Sequence, residues 1–350
     1  MEKNHKIRFY KVVFTFIIAL YHLLNIYNRN TSWYIAVEFF FYTSGYLIAN
    51  SFENNMSANG NKNALTFTWQ RFKNFFPYAL FSFFVAFIAK GIYGHYTFTD
   101  YIRGFFSHLS EVFLIHSCGL GHGADYYFNS VTWYISVLLI LGYVIWFFLE
   151  TNKSLFIKII APLSVLLFYS YLYRTYGHLN EHYETVGFVL NSALLRGGAG
   201  LSTGVLIYYL SKRDTIKSRW FFGFVSDFCF LTVIVLATLC SRSSWDYLFA
   251  ALLAVGVFFS FASGNQIPFK KVYDNKIVIF LSNISLSIYL NHKVFRSVFK
   301  LLFPKDSISV YIVYILFIIV YSTVTYYVLT GIIRIIKNSS LKCFKAPHSN

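Results

Sequence analysis

Charge is scarce in this 350-residue chain, and acidic charge scarcest: 14 Asp and Glu stand against 30 Lys and Arg, and charged residues make up only 13%. An ordinary soluble domain carries roughly 25% charged residues, so that class is excluded. Cysteine is almost as sparse. Cys118, Cys229, Cys240 and Cys343 form no CxxC pair and no metal-ligand spacing with histidine, so neither a disulfide framework nor a metal site is expected. The chain has no GxSxG elbow, no catalytic-cysteine signature and no P-loop, which removes the common serine and cysteine hydrolases and the nucleotide triphosphatases. No internal repeat stands out, and inverted repeats are the usual mark of secondary transporters.

What fills the space is apolar: 57% hydrophobic and 22% aromatic residues, with several runs near the ~20 residues that cross a bilayer. The runs predict an all-α polytopic membrane protein with ten transmembrane helices at about 8–26, 33–51, 77–93, 131–149, 154–173, 191–211, 220–240, 244–263, 277–300 and 309–336. No small-residue cleavage site follows the first run, so it is expected to stay as a span. With both termini in the cytoplasm, about 20 of the 30 Lys and Arg fall on inside segments, among them Lys62, Lys153, Lys212, Lys217, Arg219, Lys270 and Arg334. The excess of +16 is therefore read as topology and anionic-lipid contact, with no nucleic acid as partner. The whole of 1–350 reads as one transmembrane domain. Within it, 94–130 is too polar for a span, carrying Asp100, Arg103, His108, Glu111, His116, His122 and Asp125, and is expected to form an outer-face re-entrant or loop segment. Residues 337–350 read as a cytoplasmic tail.

Ionisable residues inside spans are costly and tend to face a bundle interior or a water-filled cavity. Lys11 and His22 are eleven residues apart, three helical turns, and so share one helix face about 16 Å apart. The stripe between them is expected to line a tunnel. Glu38, near the start of the second span, falls at the depth of His22, where a carboxylate can fix an imidazole's tautomer and raise its basicity. The opposing structural readings are a lipid-facing anchor for Lys11, a headgroup-level histidine, and a carboxylate that only holds helices together. A histidine acting as general base on an acceptor hydroxyl needs no protein nucleophile.

The order of these features resembles the acyltransferase 3 family of integral-membrane bacterial enzymes. Lys11 and His22 match that family's basic residue, ten positions and histidine. Glu38-Phe39-Phe40-Phe41-Tyr42-Thr43-Ser44-Gly45-Tyr46-Leu47-Ile48 is similar to its acidic residue and Phe-Phe-x-x-Ser-Gly run. Arg71-Phe72-Lys73-Asn74-Phe75-Phe76-Pro77 resembles the basic segment that opens its third helix, with Asn74 where a second arginine is common. Trp133-Tyr134, Arg196 with Gly200 and Gly204, and Ser285 through Tyr289-Leu290-Asn291-His292 resemble later elements, in family order.

The resemblance implies a membrane O-acyltransferase, most simply an O-acetyltransferase, of the bacterial cytoplasmic membrane. Acetyl-CoA or another acyl-CoA would be co-substrate, and the acceptor a hydroxyl of a cell-surface or capsular polysaccharide or its lipid-linked precursor. His22 with Glu38 would be catalytic, and Lys11, Arg71 and Lys73 would take the phosphates of the donor. Arg196, His292, Trp133 and Tyr289 would bind substrate, stabilise the oxyanion or complete a polar network, while Ser44 and Gly45 would permit close helix packing. Competing readings are a glycan transporter or flippase using the same buried groups for protons, a small-molecule acceptor such as an antibiotic or amino sugar, and a succinyl donor.

Overall fold

The computed structural model describes residues 4–119, 127–186, 190–213, 220–241, 243–264 and 269–344; His122, Asp125, Lys217 and Arg219 lie outside them. The described chain is almost wholly helical: α1 (His5–Ile26), α2 (Ala36–Ser57), α3 (Ala64–Tyr93), α4 (Phe98–Ser107), α5 (Leu109–Val112), α6 (Trp133–Leu155), α7 (Ala161–Tyr176), α8 (Ser192–Ser211), α9 (Trp220–Leu239), α10 (Trp245–Ala262), α11 (Lys270–Tyr273), α12 (Lys276–Leu302) and α13 (Ile308–Phe344). A two-residue ribbon, β1 (Thr185–Val186) with β2 (Leu190–Asn191), leads into α8.

Among the described residues, seven helical stretches are long and apolar enough to cross a membrane: His5–Ile26, Ala64–Tyr93, Ser130–Tyr176, Trp220–Leu239, Trp245–Ala262, Lys276–Leu302 and Ile308–Ile336. The 47-residue stretch is not one rod. The backbone leaves helical geometry at Asn152 (φ −150°, ψ 79°), whose side chain then caps Leu155 N–H at 3.0 Å and starts the next helix. Trp133 at one end and Tyr169 near the other both reach the Glu38–Arg196 pair, which a straight helix with 36 residues between them, some 54 Å, forbids. α6 and α7 therefore fold back on each other.

Lipid-facing and buried helices divide by composition. α9 exposes Phe224, Phe228, Leu231 and Val235, and α13 exposes Ile312, Leu316, Val320 and Val324, at three- or four-residue spacing. Such apolar stripes suit hydrocarbon and not water. α2 and α8 instead sit inside the bundle, which is why they can carry Glu38 and Arg196 and fall short of the apolarity of the seven. They cross at glycine: a Cβ on Gly45 would stand 2.1 Å from the Leu201 carbonyl oxygen, and one on Gly204 2.2 Å from that of Tyr42. Around the crossing lies an aromatic core including Phe14, Phe39, Phe41, Trp146 and Phe230. α12 packs along α1 and also touches α3 and α13.

Two boundaries differ from expectation. α3 begins at Ala64, capped by Asn63 accepting from Thr66 N–H at 2.9 Å, so the basic segment at Arg71 lies on the helix and Pro77 sits inside it. α13 runs through residues 337–344 as continuous helix to Phe344. In the polar segment after α3, the longest described helix is α4. Its ten residues span about 15 Å, half a hydrocarbon core.

Candidate functional site

The stripe on α1 turns towards α12. At its N-terminal end Lys11 Nζ donates to the Ser282 carbonyl at 3.3 Å; at its C-terminal end the His22 ring lies 5.0 Å from that of His292, centre to centre, tilted by 32°. Ten residues of α12 separate those two contacts, so the helices run side by side over the whole interval. His292 is fully buried, and its Nδ1 lies 2.6 Å from the Tyr289 carbonyl. A carbonyl only accepts, so Nδ1 carries the proton and Nε2 presents a lone pair, for which no protein partner exists among the described residues. His22 likewise makes no hydrogen bond among the described residues, and its ring is half-buried. Lys293, Arg296 and His182 lie within electrostatic reach of it.

Glu38 is elsewhere engaged. Arg196 Nε donates to its Oε1 at 2.6 Å and the Tyr169 hydroxyl to its Oε2 at 2.6 Å. Arg196 also donates to the Tyr34 carbonyl at 3.1 Å and lies over the Trp133 ring, and Tyr42 bonds Tyr169 at 3.0 Å. Glu38 and Arg196 are 0% and 1% exposed, so this pair depends on its saturated bonding to offset lost hydration. The expected His22–Glu38 pair is thus not formed. Glu38 turns to α8 and α7, whereas His22 turns to α12.

The cations expected to bind the donor separate as well. On a helix, positions 71 and 73 point about 200° apart. Arg71 is half-buried over Phe67, within reach of Tyr134, whereas Lys73 is exposed beside Trp69. No bond joins either to Lys11 among the described residues. Ser44 donates to or accepts from Tyr134 at 2.9 Å, and Gly45 makes the α2–α8 crossing. Tyr289 donates to the Val131 carbonyl at 2.8 Å, and Trp133 stacks on His182 at 4.6 Å.

A cavity of about 460 Å³ opens one turn beyond the histidine pair, at Ile26 on α1 and Arg296 on α12. Its walls include Lys90, Lys293, Arg296 and Lys300. Neither His22 nor His292 lines it, and it does not extend down to Lys11, so the expected tunnel along the stripe is not formed by this cavity. Beside it, Glu111 of α5 accepts from the Phe128 and Asn129 N–H groups at 3.0 and 2.7 Å. Burial pushes its carboxyl up to about 7, against those two bonds and the nearby Lys90 and Lys293.

With this geometry in view, the comparison with known families decides between the readings: a model described as an acyltransferase domain matches residues 4–331. The chain belongs to the acyltransferase 3 family. It is a membrane acyltransferase. No curated protein and no solved structure matched it. In this acyltransferase 3 chain the motif residues gather into two sites, not one. Lys11, His22 and His292 follow the α1–α12 seam, while Glu38, Arg196 and Trp133 form a closed network on α2, α8 and α6.

Sequence reasoning missed several participants. Tyr169 completes Glu38 but sits in an otherwise apolar run with no signal. Lys293 and Arg296 carried one: cations at the end of a span opposite to the side where the expected topology puts most of them. Lys6, fully buried, meets Asp227 at 2.7 Å, joined by Tyr10 and Tyr273, and only its basic type marked it out.

Proposed function

We propose that the protein is an O-acetyltransferase of the bacterial cytoplasmic membrane. It takes acetyl from cytoplasmic acetyl-CoA and delivers it to a hydroxyl of a cell-surface or capsular polysaccharide, or of its lipid-linked precursor. Ten spans with both termini inside suit this reading, because the basic ends of the helices then face the cytoplasm. The observation that carries it is the seam: a cation and an imidazole about 16 Å apart on one face of α1, both turned to α12, with the two imidazoles at its far end left open to a substrate.

Lys11 and Arg71 hold the phosphates of the donor near the inner end, with Lys73 adding to the basic field around the entrance. The pantetheine arm follows the seam outward. His22, beside the tautomer-fixed His292, accepts the proton of the acceptor hydroxyl as its oxygen attacks the thioester carbonyl. The carbon–sulfur bond then breaks and the CoA thiolate takes up the proton. Glu38 acts through Arg196, and their network fixes α2 against α8 beside the seam.

The test is acetyl transfer from labelled acetyl-CoA by detergent-purified protein to surface glycan extracted from the host. The wild type labels the glycan. His22→Ala, eluting as the same monodisperse species, loses at least ~100-fold. Full transfer by His22→Ala removes the base, and no transfer by the wild type removes the donor.

A further inference from the structure

We propose that Asp246 is a positioning residue for acyl transfer: through the Leu179 amide it locks residues 177–186 against the bundle, so that His182 stands beside His22 as a wall of the acceptor site. This deepens the acyltransfer reading above and rests on it. Asp246 lies in the first turn of α10 and is 0% exposed. A buried carboxylate is costly unless donors reach it, and a helix N-terminus favours an acid. Here two neutral donors converge on a single oxygen. The Tyr34 hydroxyl at 2.6 Å and the Leu179 N–H at 2.9 Å both reach Oδ2. Oδ1 makes no hydrogen bond among the described residues. One oxygen thus ties the α1–α2 connection and the segment after α7 to the same turn of α10.

From Leu179 the lock runs to the histidine pair. Leu179 is itself 1% exposed, so the segment is anchored in the core by side chain and backbone together. Three residues on, His182 stacks on Trp133 at 4.6 Å and lies within electrostatic reach of His22. The Tyr183 hydroxyl donates to the Ser130 carbonyl at 2.9 Å, and the Ser130 side chain bonds Lys293, which follows His292 directly. Residues 177–186 therefore bear on both members of the pair. Tyr34 also couples the lock to the Glu38 network, because its carbonyl accepts from Arg196 while its hydroxyl donates to Asp246. All of these contacts fall at the histidine end of the seam, about three helical turns from Lys11. The segment is thus placed to act on the acceptor and not on the phosphates of the donor.

Hydrogen exchange over residues 177–186 and transfer kinetics are measured on the detergent-purified full chain, with labelled acetyl-CoA and extracted host surface glycan. In Asp246→Ala the segment is expected to exchange roughly tenfold faster than in wild type. The KM for glycan is expected to rise roughly tenfold in the same variant, with the acetyl-CoA KM unchanged. Asp246→Asn keeps one carbonyl oxygen for both donors, and is expected to return both readouts to within roughly threefold of wild type. His182→Ala leaves the Asp246 bonds in place and is expected to raise the glycan KM without faster exchange. Unchanged exchange in Asp246→Ala overturns the lock. Faster exchange with an unaltered glycan KM, or with an acetyl-CoA KM that rises equally, makes the segment a strut and overturns the positioning role. Where Asp246→Ala does not fold, His182→Ala decides, since an unaltered glycan KM there overturns the proposal. An exchange difference in a protein that transfers nothing from acetyl-CoA supports the lock and counts against the donor reading instead.

Discussion

The bundle contains two buried constellations of similar polarity and opposite character. Around Glu38 both carboxylate oxygens are answered: Arg196 and Tyr169 donate to them, and the Tyr34 carbonyl and the Tyr42 hydroxyl hold those two donors in turn. Around His22 the reverse holds, since among the described residues the His292 Nε2 has no protein partner and His22 makes no hydrogen bond. A saturated network stiffens the place where it sits, and an unsaturated pair retains capacity for something that arrives. On the proposed mechanism, the difference separates the residues that build the site from those that act in it.

The sharpest way to break the closed side is Arg196→Met. It leaves the Glu38 carboxylate buried with only Tyr169, and should cost about 3–5 kcal/mol, read as a fall in the thermal midpoint and yield of detergent-purified protein. Glu38→Gln/Arg196→Met should recover most of that loss, because the uncompensated charge is gone. A single variant as stable as wild type would mean the pair is hydrated.

On the open side, Lys11→Ala should leave stability nearly unchanged and raise the acetyl-CoA KM roughly tenfold with kcat kept, the size of one charge-assisted contact of about 1.5 kcal/mol. An unaltered donor KM would confine Lys11 to its bond with Ser282.

The smallest effect tests a third case, a carboxylate closed by backbone alone. Glu111 holds its proton up to about 7 in the fold and to its ordinary 4.5 when unfolded. The native state therefore binds more protons between those values, and stability falls as pH rises through that window and levels above it. Glu111→Gln should flatten the slope between pH 5 and pH 8 in a thermal unfolding series; an identical slope would show that the carboxyl is not the group titrating.

Much of the helical layout was legible because apolar run length is a one-dimensional property, and each of the ten expected runs lies largely on one long helix. The Lys11–His22 stripe was legible for the same reason: three turns of one helix need no knowledge of its neighbours. Direction between helices was not. Depth put Glu38 level with His22, yet its partner is Arg196, 158 residues on, and only packing decides which way a helix faces. Arg71 and Lys73 diverge because α3 starts thirteen residues before Pro77, and the Asn63 cap that starts it is one polar residue among several. His292 meets His22 through a contact spanning 270 positions, visible in sequence only as equal depth.

The reversal at Asn152 has a consequence for the closed network. A straight rod of 47 residues would measure about 70 Å, more than twice the width of a hydrocarbon layer. The two arms therefore stand as a hairpin, and Tyr169 reaches Glu38 only when that hairpin is formed. The bond that completes the Glu38 network thus reports directly on whether the α6–α7 hairpin is closed.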